Sequence, residues 1–172
     1  LIVFDRGRVT INDLYQDIIS EKETLSDQDF LKSARVGLNY EAFLMTKPKK
    51  AVVIYEKAVA AVEKQMWRYW HRREEDEEIC LFSEQLGKAY KELGKYDDSI
   101  KSFKKAIDFN KRISGENTRS LASLYRQISA IFKLKNDDQA LEYAEKALKI
   151  NELLDKDHGK HPDTIKCLRM VA

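Results

Sequence analysis

The strongest constraint in this 172-residue chain is a helical register that returns. Gly87 and Tyr90 share one face of a helical pattern, and Ser99, Phe103 and Ala106 share one face of the next. Forty-one residues later the same places hold Ile128, Ile131, Ala140, Ala144 and Ala147. A period in this range marks stacked helix pairs. One pair cannot bury its apolar face alone, so neighbours stack into a superhelix with a concave surface. The expected fold is all-α: a right-handed superhelical array of antiparallel helix pairs with an N-terminal helical extension.

Composition agrees. Hydrophobic residues make up 43% and charged residues 35%, with two prolines and six glycines, which suits long helices with charged outer faces. A net charge of +2 provides no bulk attraction to nucleic acid or an anionic membrane. No run approaches the roughly 20 apolar residues of a membrane span. The opening Leu1-Ile2-Val3-Phe4 stops at Asp5-Arg6, so it does not read as a signal peptide. Cys80 and Cys167 lie in apolar helical patterns and read as reduced, buried thiols of a cytosolic protein. A disulfide would demand close approach across several helices. Without a starting Met, the chain is expected to be a piece of a longer protein.

Along the chain, residues 1–12 form a loose lead-in, and Asn12 can cap a helix carrying Leu14, Ile18 and Ile19. Ser26 can cap the next helix, with Asp27 and Asp29 in its first turn and Phe30, Leu31, Ala34, Leu38, Ala42 and Met45 along it. Pro48 suits the first turn of a third. Lys49 to Leu86 contains neither glycine nor proline, yet the helical stretch that continues to Leu93 is too long for one helix of a globular domain. Cationic His71-Arg72-Arg73 followed by acidic Glu74-Glu75-Asp76-Glu77-Glu78 predicts a turn near 72–76, because both helix dipoles are then satisfied. Further helices are expected over about Cys80–Leu93, to about Arg112, Thr118–Leu134 and Asp137–Leu154, with Gly94 as a C-cap. Pro162 starts a last helix that runs to Ala172.

The pattern resembles the tetratricopeptide repeat family in Leu86, Gly87, Tyr90, Phe103 and Ala106, and again in Ala140 and Ala147. Departures are Ser83 at the tryptophan place, Ser99 at the first alanine, Arg112 at the proline, and Ile128 for the small glycine. Ile128 is expected to hold its helix pair slightly further apart. A divergent earlier unit is read in Asn39, Ala42, Ala51, Tyr55 and Ala58, 48 residues before the next. The units are thus about 32–72, 77–112, 118–154 and a truncated 162–172, after an extension over 1–31. Long spacing and the His161-Pro162-Asp163-Thr164 loop resemble the extended repeats of kinesin light chains and their relatives.

This resemblance implies a protein or peptide partner lying in the concave groove lined by first helices, with no cofactor and no small-molecule substrate. In matched register the groove would hold Glu84, Lys88 and Lys91 from one unit. The next would add Ala122, Tyr125, Arg126, Ser129, Phe132 and Lys133, and the last Lys166 and Arg169. These cations with Tyr125 and Phe132 would suit an acidic segment carrying an aromatic anchor. An ordinary solvated helix face accounts for the same cations. The carboxylate clamp of the chaperone-binding subfamily is not expected, because its lysine and asparagine places read Glu84 and Lys88, then Tyr125 and Ser129.

Other motifs carry less. His158, His161 and Asp163 lie in a glycine-containing loop with no third histidine nearby, which argues against metal. Gly87 to Gly94-Lys95 has the wrong spacing for a phosphate loop, and no G-x-S-x-G or H-E-x-x-H motif occurs. Trp67 and Trp70 beside His71-Arg72-Arg73 could stack RNA bases, but five acidic residues follow directly; filling the gap between units explains them better.

The reading is a non-catalytic interaction scaffold or adaptor in the cytoplasm, with the cytoskeleton or cilium as candidate locations. One alternative is a structural subunit of a motor, ciliary or cytoskeletal assembly that docks through the N-terminal helices and Trp67/Trp70. A more distant one is the regulatory segment of a larger enzyme. Leu168 and Val171 are expected to need cover from further repeats or a partner.

Overall fold

The computed structural model describes residues 26–39, 46–66 and 73–155, with the single positions 162, 165 and 169. Among the described residues six helices follow one another: α1 (Asp27–Asn39), α2 (Pro48–Met66), α3 (Arg73–Glu92), α4 (Tyr96–Ser114), α5 (Arg119–Leu134) and α6 (Gln139–Leu154). There is no strand among the described residues. Each helix packs on its successor, α3 and α4 most extensively, and α1 also reaches α3. Short connections make α3–α4 and α5–α6 antiparallel hairpins. Contacts confined to near neighbours define an all-α solenoid.

Local chemistry explains the helix ends. Before α1, the Ser26 N–H donates to the Asp29 carboxylate at 3.0 Å while the Ser26 hydroxyl accepts from the Asp29 N–H at 3.3 Å. Two otherwise orphaned donors are thereby satisfied. Pro48 opens α2 as expected, and Thr118 caps α5 by accepting from the Leu121 N–H at 3.1 Å. The expected turn at 72–76 is corrected: α3 already begins at Arg73, and Glu74, Glu75 and Asp76 occupy its first turn. The acidic run therefore sits on free helical N–H groups, where negative charge is favoured, rather than in the connection. Because α1 starts at Asp27, a unit boundary after residue 31 would cut through a helix. The lead-in helix after Asn12, Ala42, Met45, Trp67, Trp70, Cys167 and the His158–Thr164 loop residues other than Pro162 lie outside the described residues.

Helices α3 and α5 end alike. The Lys95 N–H donates to the Tyr90 carbonyl at 2.9 Å and the Asp137 N–H to that of Phe132 at 3.0 Å. Each closure turns on one left-handed residue, Gly94 at φ 71° and Asn136 at φ 53°. A Cβ on Gly94 would meet nothing within 4 Å, so substitution strains only the backbone. Gly94→Ala is expected to lower stability by about 1 kcal/mol. The urea midpoint should fall at unchanged slope; an unmoved midpoint would contradict a left-handed requirement there.

The buried core repeats on the second helices: Ala51, Tyr55 and Ala58 on α2, Ser99, Phe103 and Ala106 on α4, Ala144 and Ala147 on α6. Gly87 is a space requirement, since a Cβ there would lie 2.9 Å from the Phe103 ring. In the α5–α6 pair the matched places hold Ile128 and Ala144, both fully buried. By register, bulk has moved from the second helix to the first: a small residue on α6 stands where Phe103 stands on α4.

Polar groups tie the units together. The buried Asn110 side chain donates to Ser120 Oγ at 2.9 Å and accepts from Thr118 Oγ1 at 3.0 Å, joining α4 to the cap of α5. Tyr90 on α3 donates to Glu56 on α2. Across units, Arg35 meets Glu78 at 2.5 Å, Lys105 meets Glu63 at 2.6 Å and Lys135 meets Asp97 at 2.6 Å. These pairs are mostly exposed, so each adds at most about 1 kcal/mol, and the apolar stripes carry the stacking.

Candidate functional site

The residues proposed for the groove fall into two groups. Lys88 pairs with Glu84 one turn away at 2.9 Å, both partly exposed on α3. Lys91 is half-buried near the end of α3, Arg126 half-buried on α5, and Lys133 and Arg169 exposed. Lys166 lies outside the described residues.

The second group turns inward. Ser129 is 2% exposed and its hydroxyl donates to the Ala140 carbonyl at 2.7 Å, bridging α5 to α6. Phe132 is 5% exposed and stacks on Tyr143 of α6, ring centroids 5.4 Å apart. Tyr125 lies 6.0 Å from the same ring. Ser129 and Phe132, expected in the groove, are thus engaged by α6, and Ala122 is buried too. Residues 125, 129 and 132 recur at helical spacing, and that stripe faces the unit's own second helix.

Where Tyr125 emerges from this contact, a cleft of about 210 Å³ opens between the last turn of α4, the first half of α5 and the second half of α6. Lys111, Lys146 and Lys149 reach it from two helices, and Tyr125, Ile150 and Leu153 add a partly apolar wall. The Lys146 ammonium lies 4.8 Å over the Tyr143 ring and 2.5 Å from Glu142. Tyr125, together with a hydrogen bond to Glu116, pushes Lys111 above the ordinary lysine range. Hydrogen bonding to Glu142, with the two tyrosines adding, does the same for Lys146. Both therefore stay charged throughout the physiological range. Sequence reading had missed these lysines. Their signal was the i, i+3 spacing of Tyr143, Lys146 and Lys149 on one helix face.

Among the described residues no three histidine, cysteine or acidic side chains cluster as metal ligands would. No described helix is long and apolar enough to cross a membrane. Cys80 is a free thiol buried between α3 and α4, donating to the Ala106 carbonyl at 3.4 Å. Burial pushes its pKa up, against a hydrogen bond from Asn110. The folded state thus holds this proton more tightly than the unfolded state. Its contribution to stability is complete below the unfolded thiol pKa of about 8.5 and is lost as pH rises through the higher folded value. In a Cys167→Ser background, iodoacetamide should modify Cys80 at pH 8.5 far more slowly than a free thiol, and faster as urea is added. Modification at the free-thiol rate would contradict this burial.

Stacked antiparallel helix pairs with a polar inter-unit joint define a helical-repeat solenoid. Residues 77–153 match the family model described as tetratricopeptide repeat. The fold is similar to the crystal structure of BtubC (BKLC) from P. vanneervenii, with a TM-score of 0.70 at 16% identity, covering 93% of this chain. The chain spans 61% of the length of BtubC, and at that identity the likeness is one of fold. No curated protein matches the sequence.

Proposed function

We propose that this chain is a non-catalytic protein-interaction scaffold that holds an acidic segment of a partner protein against the first helices of its repeats. Tetratricopeptide repeats generally mediate protein–protein interaction, and that supports the scaffold role. The observation carrying the finer reading is that Lys88, Lys91, Arg126 and Lys133 keep exposed surface on α3 and α5. Arg169 and Lys166 continue the cationic series along the sequence. In this reading a few buried partner side chains supply most of the affinity. The cations select and steer an acidic partner. The long spacing between units and the His161-Pro162-Asp163-Thr164 loop support a repeat of the extended, kinesin-light-chain-like kind acting in the cytoplasm.

The test is affinity capture from source lysate, comparing the wild-type chain with Arg126→Glu/Lys133→Glu. A partner held by the wild type should be lost, with a fall of about tenfold or more in affinity once it is purified. Partners retained at full strength would remove recognition from this face and favour docking through the N-terminal region.

A further inference from the structure

We infer that the cleft between α4, α5 and α6 is a second docking point, which takes a carboxylate-bearing peptide segment with an adjoining aliphatic side chain. The inference rests on the scaffold reading above but not on the α3 and α5 cations. Three lysines line the cleft: Lys111 from α4, and Lys146 and Lys149 from α6. Like charges gathered in one concavity repel, and the local counter-charge is thin. Glu142 pairs with Lys146 at 2.5 Å. Glu116, 78% exposed in its side chain, reaches Lys111 only at 3.4 Å. Lys149 makes no ion pair with a described residue. An exposed pair of this kind is worth little, so the Glu116 carboxylate acts as a replaceable occupant that an incoming carboxylate can displace.

Size and polarity narrow the occupant further. A volume of about 210 Å³ lies below the roughly 300–1,000 Å³ of small-molecule sites, which fits one or two side chains of a larger partner. Ile150 is 7% exposed and forms part of the floor, whereas Leu153 at the rim is 64% exposed. An exposed leucine beside two lysines favours a ligand that is both anionic and aliphatic over a nucleic-acid backbone. The carboxylates already resting on Lys111 and Lys146 show that these lysines accept that geometry.

A fluorescein-labelled peptide of four Glu-Leu repeats serves as the probe, read by fluorescence anisotropy, with Lys-Leu and Glu-Ser peptides of the same length beside it. Saturable binding is expected for Glu-Leu, weaker binding for Glu-Ser and none for Lys-Leu. Lys146→Glu/Lys149→Glu should weaken Glu-Leu about tenfold or more. Leu153→Ser should weaken it about threefold, and Glu116→Gln should tighten it about twofold. Lys49→Glu/Lys50→Glu, an equal charge change at exposed positions on α2, should leave it unchanged. Unaltered thermal unfolding by circular dichroism checks the fold of every variant. The inference is overturned by an absence of saturable Glu-Leu binding, or by an equal loss in the α2 control. Competition by inorganic phosphate at the peptide's own concentration would also overturn it, by exposing a simple anion site. A loss confined to Arg126→Glu/Lys133→Glu would sink this docking point while leaving the proposed function standing.

Discussion

Gly87→Ile is expected to destabilise the protein by about 3 kcal/mol or more, at the upper end for overpacking, because even a Cβ would lie 2.9 Å from the buried Phe103 ring. Phe103→Ala, which empties that space, is expected to cost about 3–5 kcal/mol. The informative variant combines them. Gly87→Ile/Phe103→Ala copies onto α3–α4 the arrangement that α5–α6 already uses, Ile128 on the first helix with Ala144 on the second. The double variant should therefore lose less stability than the two single losses added together, with a coupling of about 1–3 kcal/mol favouring the pair. Urea denaturation of all four proteins measures the cycle. Losses that simply add would mean that the two positions do not exchange volume across the helix crossing, and that the apparent compensation in α5–α6 is incidental.

Asn110→Ala is expected to cost about 2–3 kcal/mol, since it strips partners from Thr118 and Ser120 in one step. Thr118 is also the cap that accepts from the Leu121 N–H. The damage should therefore be local. Amide exchange should rise first at the start of α5, and unfolding should broaden as the α5–α6 pair separates from α3–α4. Solenoid stability is a sum of unit and interface terms, so weakening one interface reduces cooperativity before it unfolds the whole. Exchange that rises equally in all six helices, with a single sharp transition, would show that Asn110 supports global stability and is not a joint between units.

Much of the architecture could be read from single residues because its causes are local. Ser26, Pro48 and Thr118 mark helix starts through their own hydrogen bonds or ring geometry, and Gly94 marks an end through its backbone freedom. The returning register around Gly87, Phe103 and Ala106 signals stacked pairs because a 3.6-residue period sets which side chains share a face. Other features depend on which neighbour a face meets. Tyr125, Ser129 and Phe132 form a stripe that suits an open groove or a packed crossing equally well. Contact with Tyr143 and Ala140 of α6 selects the crossing.

The basic cleft shows the same division. Lys111 and Lys149 are far apart in the chain, and antiparallel stacking of α4, α5 and α6 alone brings them to one concavity. Helix formation, most helix ends and stacking in pairs are legible in the residues alone, because those properties follow from capping, backbone conformation and periodic burial within short segments. The rotation of α5 about its axis, the volume exchange between Gly87/Phe103 and Ile128/Ala144, and the convergence of three lysines were decided by tertiary packing. Each depends on side-chain sizes contributed by different helices, and close packing admits only the combinations that fit.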